Sequence, residues 1–226
     1  MQKHILLDIE GTTTSINFVH DILFPYSSKE LRNFLTENAD LPELEKPLKL
    51  VKKSLETEQQ IPNPTIEQCI INLLSWIKSD RKHPGLKTIQ GLIWQAGYEN
   101  QAYKGHVYPD LLDALARWQN QGTIVSIYSS GSVKAQKLLF EYSNFGNLQP
   151  YISNYFDTRV GHKQDPISYE NIIRKLAVDP DQVTFYSDSI SELRAAHSSG
   201  MHTRHVVRED SQGSKDYPCI FNFKRE

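Results

Sequence analysis

The chain has 226 residues, with 25 Lys plus Arg against 27 Asp plus Glu and a formal charge of −2. That length suits one large domain or a core carrying a smaller insert, and the near balance of charge argues against nucleic acid or a membrane surface as partner. The only cysteines, Cys69 and Cys219, lie in no paired metal spacing, the N-terminus has no signal pattern, and no run approaches the ~18 apolar residues of a membrane span, so a cytoplasmic, monomeric protein is expected.

The first element is a buried strand, His4-Ile5-Leu6-Leu7, ending at Asp8. From about residue 17 to 104 the pattern is almost wholly helical. Ser27 with Glu30 resembles a capping box. Ile61-Pro62-Asn63-Pro64 cannot be helical and reads as a loop. Thr65 with Gln68 repeats the capping form ahead of Ile66, Ile70, Leu73, Leu74 and Ile77. Leu86 to Ala96 is a further helix, with Gly97 as its stop.

Beyond Val107, helix and strand alternate. Pro109 opens a helix that Gly122 closes. Thr123–Tyr128 reads as a strand, Ser132–Tyr142 as a helix, and Tyr155-Phe156-Asp157 as a short strand. Pro166–Leu176 is a helix, Val183–Tyr186 a strand, Ser191–Ser198 a helix and Thr203–Val207 a strand. This alternation predicts a parallel sheet covered on both faces. Residues 1–16 and 105–226 therefore form an α/β core, and 17–104 an all-helical insert after strand one. Ligands of open α/β sheets bind at the carboxyl ends of the strands. His202 and His205, three apart on a strand, face opposite ways and make no metal pair.

Several chemical groups follow those strand ends. Asp8-Ile9-Glu10-Gly11-Thr12-Thr13-Thr14 places two carboxylates one residue apart. If they keep strand geometry they converge, and each raises the cost of ionising the other unless a cation intervenes. A divalent ion is the simple remedy, and carboxylate oxygens with water suit Mg²⁺. Tyr128-Ser129-Ser130-Gly131 offers hydroxyls and amides to phosphate oxygens. Gly161-His162-Lys163 offers a cation, and Ser187-Asp188 with Glu192 offers further acids. Acids, hydroxyls, a lysine and a metal make a phosphoryl-transfer set, with an Asp carboxylate as possible nucleophile. Each piece alone more often caps a helix or a turn; their order and common edge carry the reading.

Asp8-x-Glu10-Gly-Thr-Thr, Ser129-Ser130-Gly131, Lys163 and Ser187-Asp188, in that order, resemble the haloacid dehalogenase superfamily of phosphatases. Glu10 stands where the usual pattern has Asp. With Asp21-Ile-Leu-Phe-Pro-Tyr, Ile127-Tyr-Ser-Ser-Gly-Ser-Val, Phe156-Asp-Thr and Gly161-His-Lys, the resemblance narrows to the enolase-phosphatase (acireductone synthase) branch and spans nearly the whole chain. It implies a Rossmann-like parallel core with a helical cap after strand 1. It implies conversion of 2,3-diketo-5-methylthiopentyl-1-phosphate to 1,2-dihydroxy-3-keto-5-methylthiopentene and phosphate in methionine salvage. By motif, Asp8, Glu10 and Asp188 resemble the ligands of one Mg²⁺ per subunit, with Glu192 supporting them. Asp8 would also attack phosphorus, and Ser129, Ser130 and Lys163 would contact the substrate phosphate. The base for enolisation stays open: Glu10 is a candidate, His20 and Tyr26 weaker ones.

There are departures. Ser15 stands where Pro is common, Gln164-Asp165-Pro166 differs from the usual stretch, and Val206-Val207-Arg208-Glu209-Asp210 lacks the expected Arg-Pro-Gly-Asn. They bear on the substrate tail more than on the phosphate. The alternatives are an Mg²⁺-dependent phosphatase of the same superfamily with another small phosphomonoester, a receiver-type signalling module and a non-catalytic relative. The helical insert argues against the receiver, and the complete set of acids with Lys163 against the non-catalytic reading.

Overall fold

The computed structural model describes residues 3–208 and 213–224. They form two compact units, one of residues up to Phe18 and from Lys104 onward, the other Val19–Tyr103.

The first unit is built on six parallel strands in the order β3-β2-β1-β4-β5-β6. These are β1 His4–Leu7, β2 Ile124–Tyr128, β3 Asn154–Phe156, β4 Val183–Ser187, β5 His202–Val206 and β6 Cys219–Ile220. β1 lies at the centre, with Leu7 paired to Ile127 on one side and Tyr186 on the other. The central strands β1, β2 and β4, buried along nearly their whole length, read as largely apolar runs rather than alternating ones. Successive residues still face opposite ways. Phe185 packs in the cluster of Leu6, Tyr128, Tyr169, Ile172 and Leu193, which brings in α7 (Pro166–Leu176) and α8 (Ile190–Ser198). Tyr186 turns the other way, 5.5 Å from the Phe223 ring and 6.2 Å from that of Trp118, on α5 (Pro109–Asn120). Between β2 and β3 runs α6 (Val133–Glu141), opened by Ser132, whose Oγ accepts the Ala135 N–H. β6, two residues at the sheet edge, is an element with no sequence signal.

The second unit is all helical: α1 Phe24–Asn38, α2 Pro42–Glu58, α3 Ile66–Lys78 and α4 Pro84–Glu99. Its core is its own, with Leu31 and Leu35 of α1 meeting Leu44, Val51 and Leu55 of α2, Ile70 and Leu73 of α3, and Ile89 and Ile93 of α4. The Thr65 capping box is present: Thr65 accepts from the Gln68 amide, and the Gln68 side chain accepts from the Thr65 amide. The Ser27–Glu30 box is not. A π-helical turn, Phe18–Leu23, runs straight into α1, so Ser27 is an interior residue whose Oγ donates to the Phe24 carbonyl at 2.9 Å. Gly97 does not stop α4, which continues to Glu99. A Cβ there would lie 2.7 Å from the rings of Tyr26 and Tyr103; the glycine admits an aromatic contact.

No helix among the described residues is long and apolar enough to cross a membrane.

Candidate active site

Asp8 follows β1 and extends its ladder by one bond, its amide donating to the Tyr186 carbonyl at 3.0 Å. The chain then turns. The amides of Thr12, Thr13 and Thr14 donate to the Ile9 carbonyl at 3.2, 2.9 and 2.9 Å. Gly11 takes φ +70°, and a Cβ on it would lie 2.2 Å from Asp188 Oδ2. Glycine is required twice over, for the left-handed backbone and for the approach of the Asp188 carboxyl. This turn separates Asp8 from Glu10. Asp8 is buried, 4% exposed, whereas Glu10 is exposed. Strand periodicity alone therefore does not relate the two carboxyls, although both charges reach Asp188.

Lys163 is the counter-charge. It is 6% exposed, and its Nζ donates to Asp8 Oδ1 at 2.5 Å and pairs with Glu192 Oε2 at 2.6 Å. Burial works against its charge, but the Asp8 and Glu192 carboxylates outweigh it and hold its pKa above the ordinary lysine value. The turn that delivers it is fixed from beneath. The hydroxyl of buried Tyr169 donates to the Lys163 carbonyl at 2.7 Å, that of Tyr128 to the Gly161 carbonyl at 3.0 Å, and Ser168 Oγ to the His162 carbonyl at 2.7 Å. Asp165 caps α7, its Oδ1 accepting from the Ile167 amide at 3.0 Å.

β4 delivers Ser187 and then Asp188. Ser187 is fully buried. Its hydroxyl lies 3.2 Å from Asp8 Oδ2 and 3.1 Å from Glu192 Oε2, and it accepts the Ser189 amide at 3.1 Å. Its single proton serves one carboxylate at a time. Glu192, on the first turn of α8, is pushed up to about 7 by burial and then by the Asp8 charge. Asp188 belongs to an exposed residue, but its carboxyl packs on Gly11 and is pushed up to about 6 by lost hydration, then by Asp8, with a smaller contribution from Glu10. The Asp188 amide donates to Thr12 Oγ1 at 3.0 Å.

At the end of β2, Ser129 is buried. Its amide donates to the Phe156 carbonyl at 3.1 Å, and its Oγ accepts the Gly131 amide at 3.2 Å. Its hydroxyl proton is left to donate elsewhere. Ser130, next in the chain, is exposed. The structure thus brings Asp8, Lys163 and Glu192 into direct contact and puts Asp188 within reach of the Asp8 and Glu10 charges. Ser129 and Ser130 follow the strand beside β1 on the same edge. His20 and Tyr26 belong to the helical unit. Glu209 and Asp210 lie outside the described residues.

The donor set fits Mg²⁺. Among the described residues no three His, Cys, Asp or Glu side chains form a closed metal cage. Asp8 and Asp188 supply hard carboxylate oxygens, and Mg²⁺ is commonly held by one or two carboxylates with water and phosphate. The charge count agrees: one lysine pairs with Asp8 and Glu192, and Asp188 adds a third carboxyl that feels the Asp8 charge.

Three residues of this site have roles that the sequence does not assign, although Thr12 and Ser187 fall within its motifs. Ser187 reads as the end of a strand, Tyr169 as a core aromatic of α7, and Thr12 as a turn residue. Only tertiary contact assigns them.

The description haloacid dehalogenase-like hydrolase matches residues 2–200. The chain is 44% identical over 223 residues to Enolase-phosphatase E1 of Serratia proteamaculans, covering 99% of this chain and 96% of that protein. It is 47% identical over 210 residues to Enolase-phosphatase E1 of Marinobacter nauticus, covering 92% and 90%. The crystal structure of UTR4 protein from Saccharomyces cerevisiae superposes with a TM-score of 0.81 at 35% identity over the whole of both chains.

Proposed function

The chain belongs to the haloacid dehalogenase-like hydrolases and, within them, to the enolase-phosphatases, and from that premise we infer that it converts 2,3-diketo-5-methylthiopentyl-1-phosphate to 1,2-dihydroxy-3-keto-5-methylthiopentene and phosphate, a step of methionine salvage. The observation that carries this reading is the buried Asp8–Lys163–Glu192 cluster at the carboxyl ends of β1 and β4.

Asp8 is the nucleophile. Lys163 and the Ile9 amide, the latter at 2.7 Å, fix its Oδ1, and Ser187 faces its Oδ2. An ammonium has three N–H donors; two of those on Lys163 face Asp8 and Glu192, and the third is assigned to a substrate phosphate oxygen. The Ser129 hydroxyl, whose oxygen already accepts from Gly131, is assigned to a second phosphate oxygen, and Ser130 to the same group. In enolisation a base takes a proton from the carbon bearing the phosphate ester and passes it to the carbonyl oxygen beside it, which becomes the enol hydroxyl. Glu10 is assigned that proton. In hydrolysis an Asp8 oxygen bonds to phosphorus as the bond from phosphorus to the ester oxygen breaks, and that oxygen takes up a proton. Water then attacks phosphorus as the bond from Asp8 to phosphorus breaks, and the proton that water loses replaces the one given to the ester oxygen. Asp8 and Asp188 would hold one Mg²⁺ per subunit, which when bound supplies positive charge for the carbonyl and phosphoryl oxygens. The helical unit is assigned the role of cap, in a cytoplasmic monomer.

The test is an anaerobic assay following enediol absorbance and free phosphate together, with Mg²⁺ and with chelator. Both products are expected, and only with Mg²⁺. Asp8→Asn is expected to stop phosphate release, and Glu10→Gln to slow enediol formation. Release of phosphate from other monoesters but none from this diketone would leave the hydrolase and remove methionine salvage.

A further inference from the structure

We propose that Arg208 is a positioning residue for the metal-binding edge of this site: it holds Thr12, and Thr12 holds Asp188. The inference rests on the assignment of Asp8 and Asp188 as Mg²⁺ ligands.

The Arg208 side chain is 7% exposed. Its Nε donates to the Thr12 carbonyl at 2.9 Å. Its Nη1 donates to both oxygens of Asp110, at 3.0 and 2.8 Å. The guanidinium carbon lies 4.2 Å from the Tyr108 ring centre and 4.9 Å from that of Phe223. Asp110 is held in turn, its Oδ2 accepting the Phe223 amide at 2.7 Å. One guanidinium therefore joins the start of α5, the C-terminal segment and the turn after Asp8.

The link continues into the site. Thr12 is fully buried, and its hydroxyl oxygen accepts the Asp188 amide at 3.0 Å. Its neighbour Gly11 packs on the Asp188 carboxyl. The place of Thr12 thus sets the place of Asp188 relative to Asp8. Arginine suits this task because its donors lie in one rigid plane, so a carboxylate and a carbonyl are held at a fixed angle. A lysine could neutralise Asp110 but could not span to Thr12. Partners that orient metal ligands commonly contribute 10–100-fold to metal affinity.

The experiment is calorimetric titration of Mg²⁺ into the full-length protein without substrate, with circular dichroism on every variant. Arg208→Lys keeps a cation beside Asp110 and is expected to weaken Mg²⁺ binding about tenfold or more. Thr12→Val is expected to do the same, and Thr12→Ser to bind as the wild type does. Arg117→Met loses the bond from Arg117 to the Phe223 carbonyl without touching Thr12; it is expected to lower thermal stability and leave Mg²⁺ affinity unchanged. Binding within twofold of wild type in both Arg208→Lys and Thr12→Val overturns the proposal. So does an Arg117→Met that weakens Mg²⁺ as much as Arg208→Lys, since general loosening then explains the loss. If Arg208→Lys does not fold, Asp110→Asn, which weakens the hold on the guanidinium, takes its place: it is expected to weaken Mg²⁺ binding, and binding within twofold of wild type overturns the proposal. If wild type takes up no Mg²⁺, or Asp188→Asn binds it equally well, the ligand assignment is at fault and this inference falls with it.

Discussion

Lys163 is the residue on which the buried charges balance. Without it, Asp8 and Glu192 face each other across the Ser187 hydroxyl with no cation between them, and a buried charge stripped of its partner is costly, about 3–5 kcal/mol. Lys163→Met is therefore expected to lower stability in chelator and to slow phosphate release on the order of 10²–10³-fold, the range for losing one preorganised donor to developing charge. Lys163→Arg should not rescue it, because a planar fork cannot replace a compact ammonium that reaches two carboxylates and has a third donor for the proposed phosphate contact. Single-turnover phosphate release measures this, and a loss under tenfold in both variants contradicts the role. Glu192 gives a pH signature. Its pKa is raised to about 7 from an unfolded value of about 4.3. The folded state therefore binds the extra proton between those values, and the stability this brings is lost as pH rises through 7. Glu192→Gln, which mimics the protonated form, is expected in chelator to gain on wild type by about 1 kcal/mol or more between pH 5 and pH 8. Urea melts at the two pH values give the double difference, and a gain in the opposite direction rejects the assignment.

At the scale of elements, α4 carries an unusual cap. His83 precedes Pro84, and its Nδ1 accepts the amides of Gly85 and Leu86 at 3.1 and 3.4 Å, with Ser54 Oγ 3.0 Å from Nε2. Only a neutral imidazole with Nδ1 free of a proton can do this. Burial and then the Arg81 charge lower its pKa. For a histidine lowered on folding, the stability is present above the unfolded pKa of 6.5 and is lost as pH falls below it. His83→Ala is expected to cost about 1 kcal/mol at pH 7.5. His83→Asn keeps an accepting side chain and should flatten the fall in stability between pH 7 and 5. Melting curves of the two variants against wild type test it; an unchanged acid slope in His83→Asn rules the cap out as its source. Such a cap shows what local sequence leaves hidden. Strand–helix alternation, the Thr65 box and the loop at Pro62–Pro64 were all legible, because each is a short-range pattern. Ser27 and Gly97 misled, because a serine near a glutamate and a glycine near a helix end have common local meanings. Here packing overrides them: Ser27 bonds back to Phe24, and Gly97 makes room for Tyr26 and Tyr103. At the site, Asp8, Lys163, Asp188 and Glu192 were legible from order and strand ends. Thr12 and Ser187 stood in the motifs without a role, and Tyr169 and Arg208 stood outside them, since what these four do lies in bonds to residues far away in the chain. Glu10 was placed beside Asp8 on the condition of strand geometry, and the turn closed on the Ile9 carbonyl comes between the two.

For the whole molecule, the question is whether the helical insert needs the α/β unit in order to fold. Its core draws on all four helices, α1 to α4, and on no residue outside Val19–Tyr103. Its ends also meet. Trp94 Nε1 donates to the Leu23 carbonyl at 2.8 Å, and the Tyr103 hydroxyl donates to the Trp94 carbonyl at 3.0 Å. The Tyr103 ring lies 4.9 Å from Tyr26 and 4.7 Å from Tyr98, and Phe24 stacks on Trp94 at 6.2 Å. A segment that enters and leaves at one aromatic clasp can be carried between two parts of another unit without straining either. A domain of this size has only about 4–13 kcal/mol of stability at the usual 0.05–0.15 kcal/mol per residue, so the clasp matters. The fragment 19–103 is expected to show helical circular dichroism and a single cooperative melt. Tyr103→Ala removes two ring contacts and the bond that ties the end of the segment to Trp94, and should lower the fragment's midpoint by several degrees, since 1 kcal/mol shifts a domain of this size by about 4–8 °C. The same substitution in the full chain should lower the transition of the helical unit and leave Mg²⁺ affinity unaltered, because the proposed ligands Asp8 and Asp188 belong to the other unit. A fragment without cooperative unfolding, or a Tyr103→Ala chain whose Mg²⁺ affinity falls together with its stability, would mean that the two units fold as one.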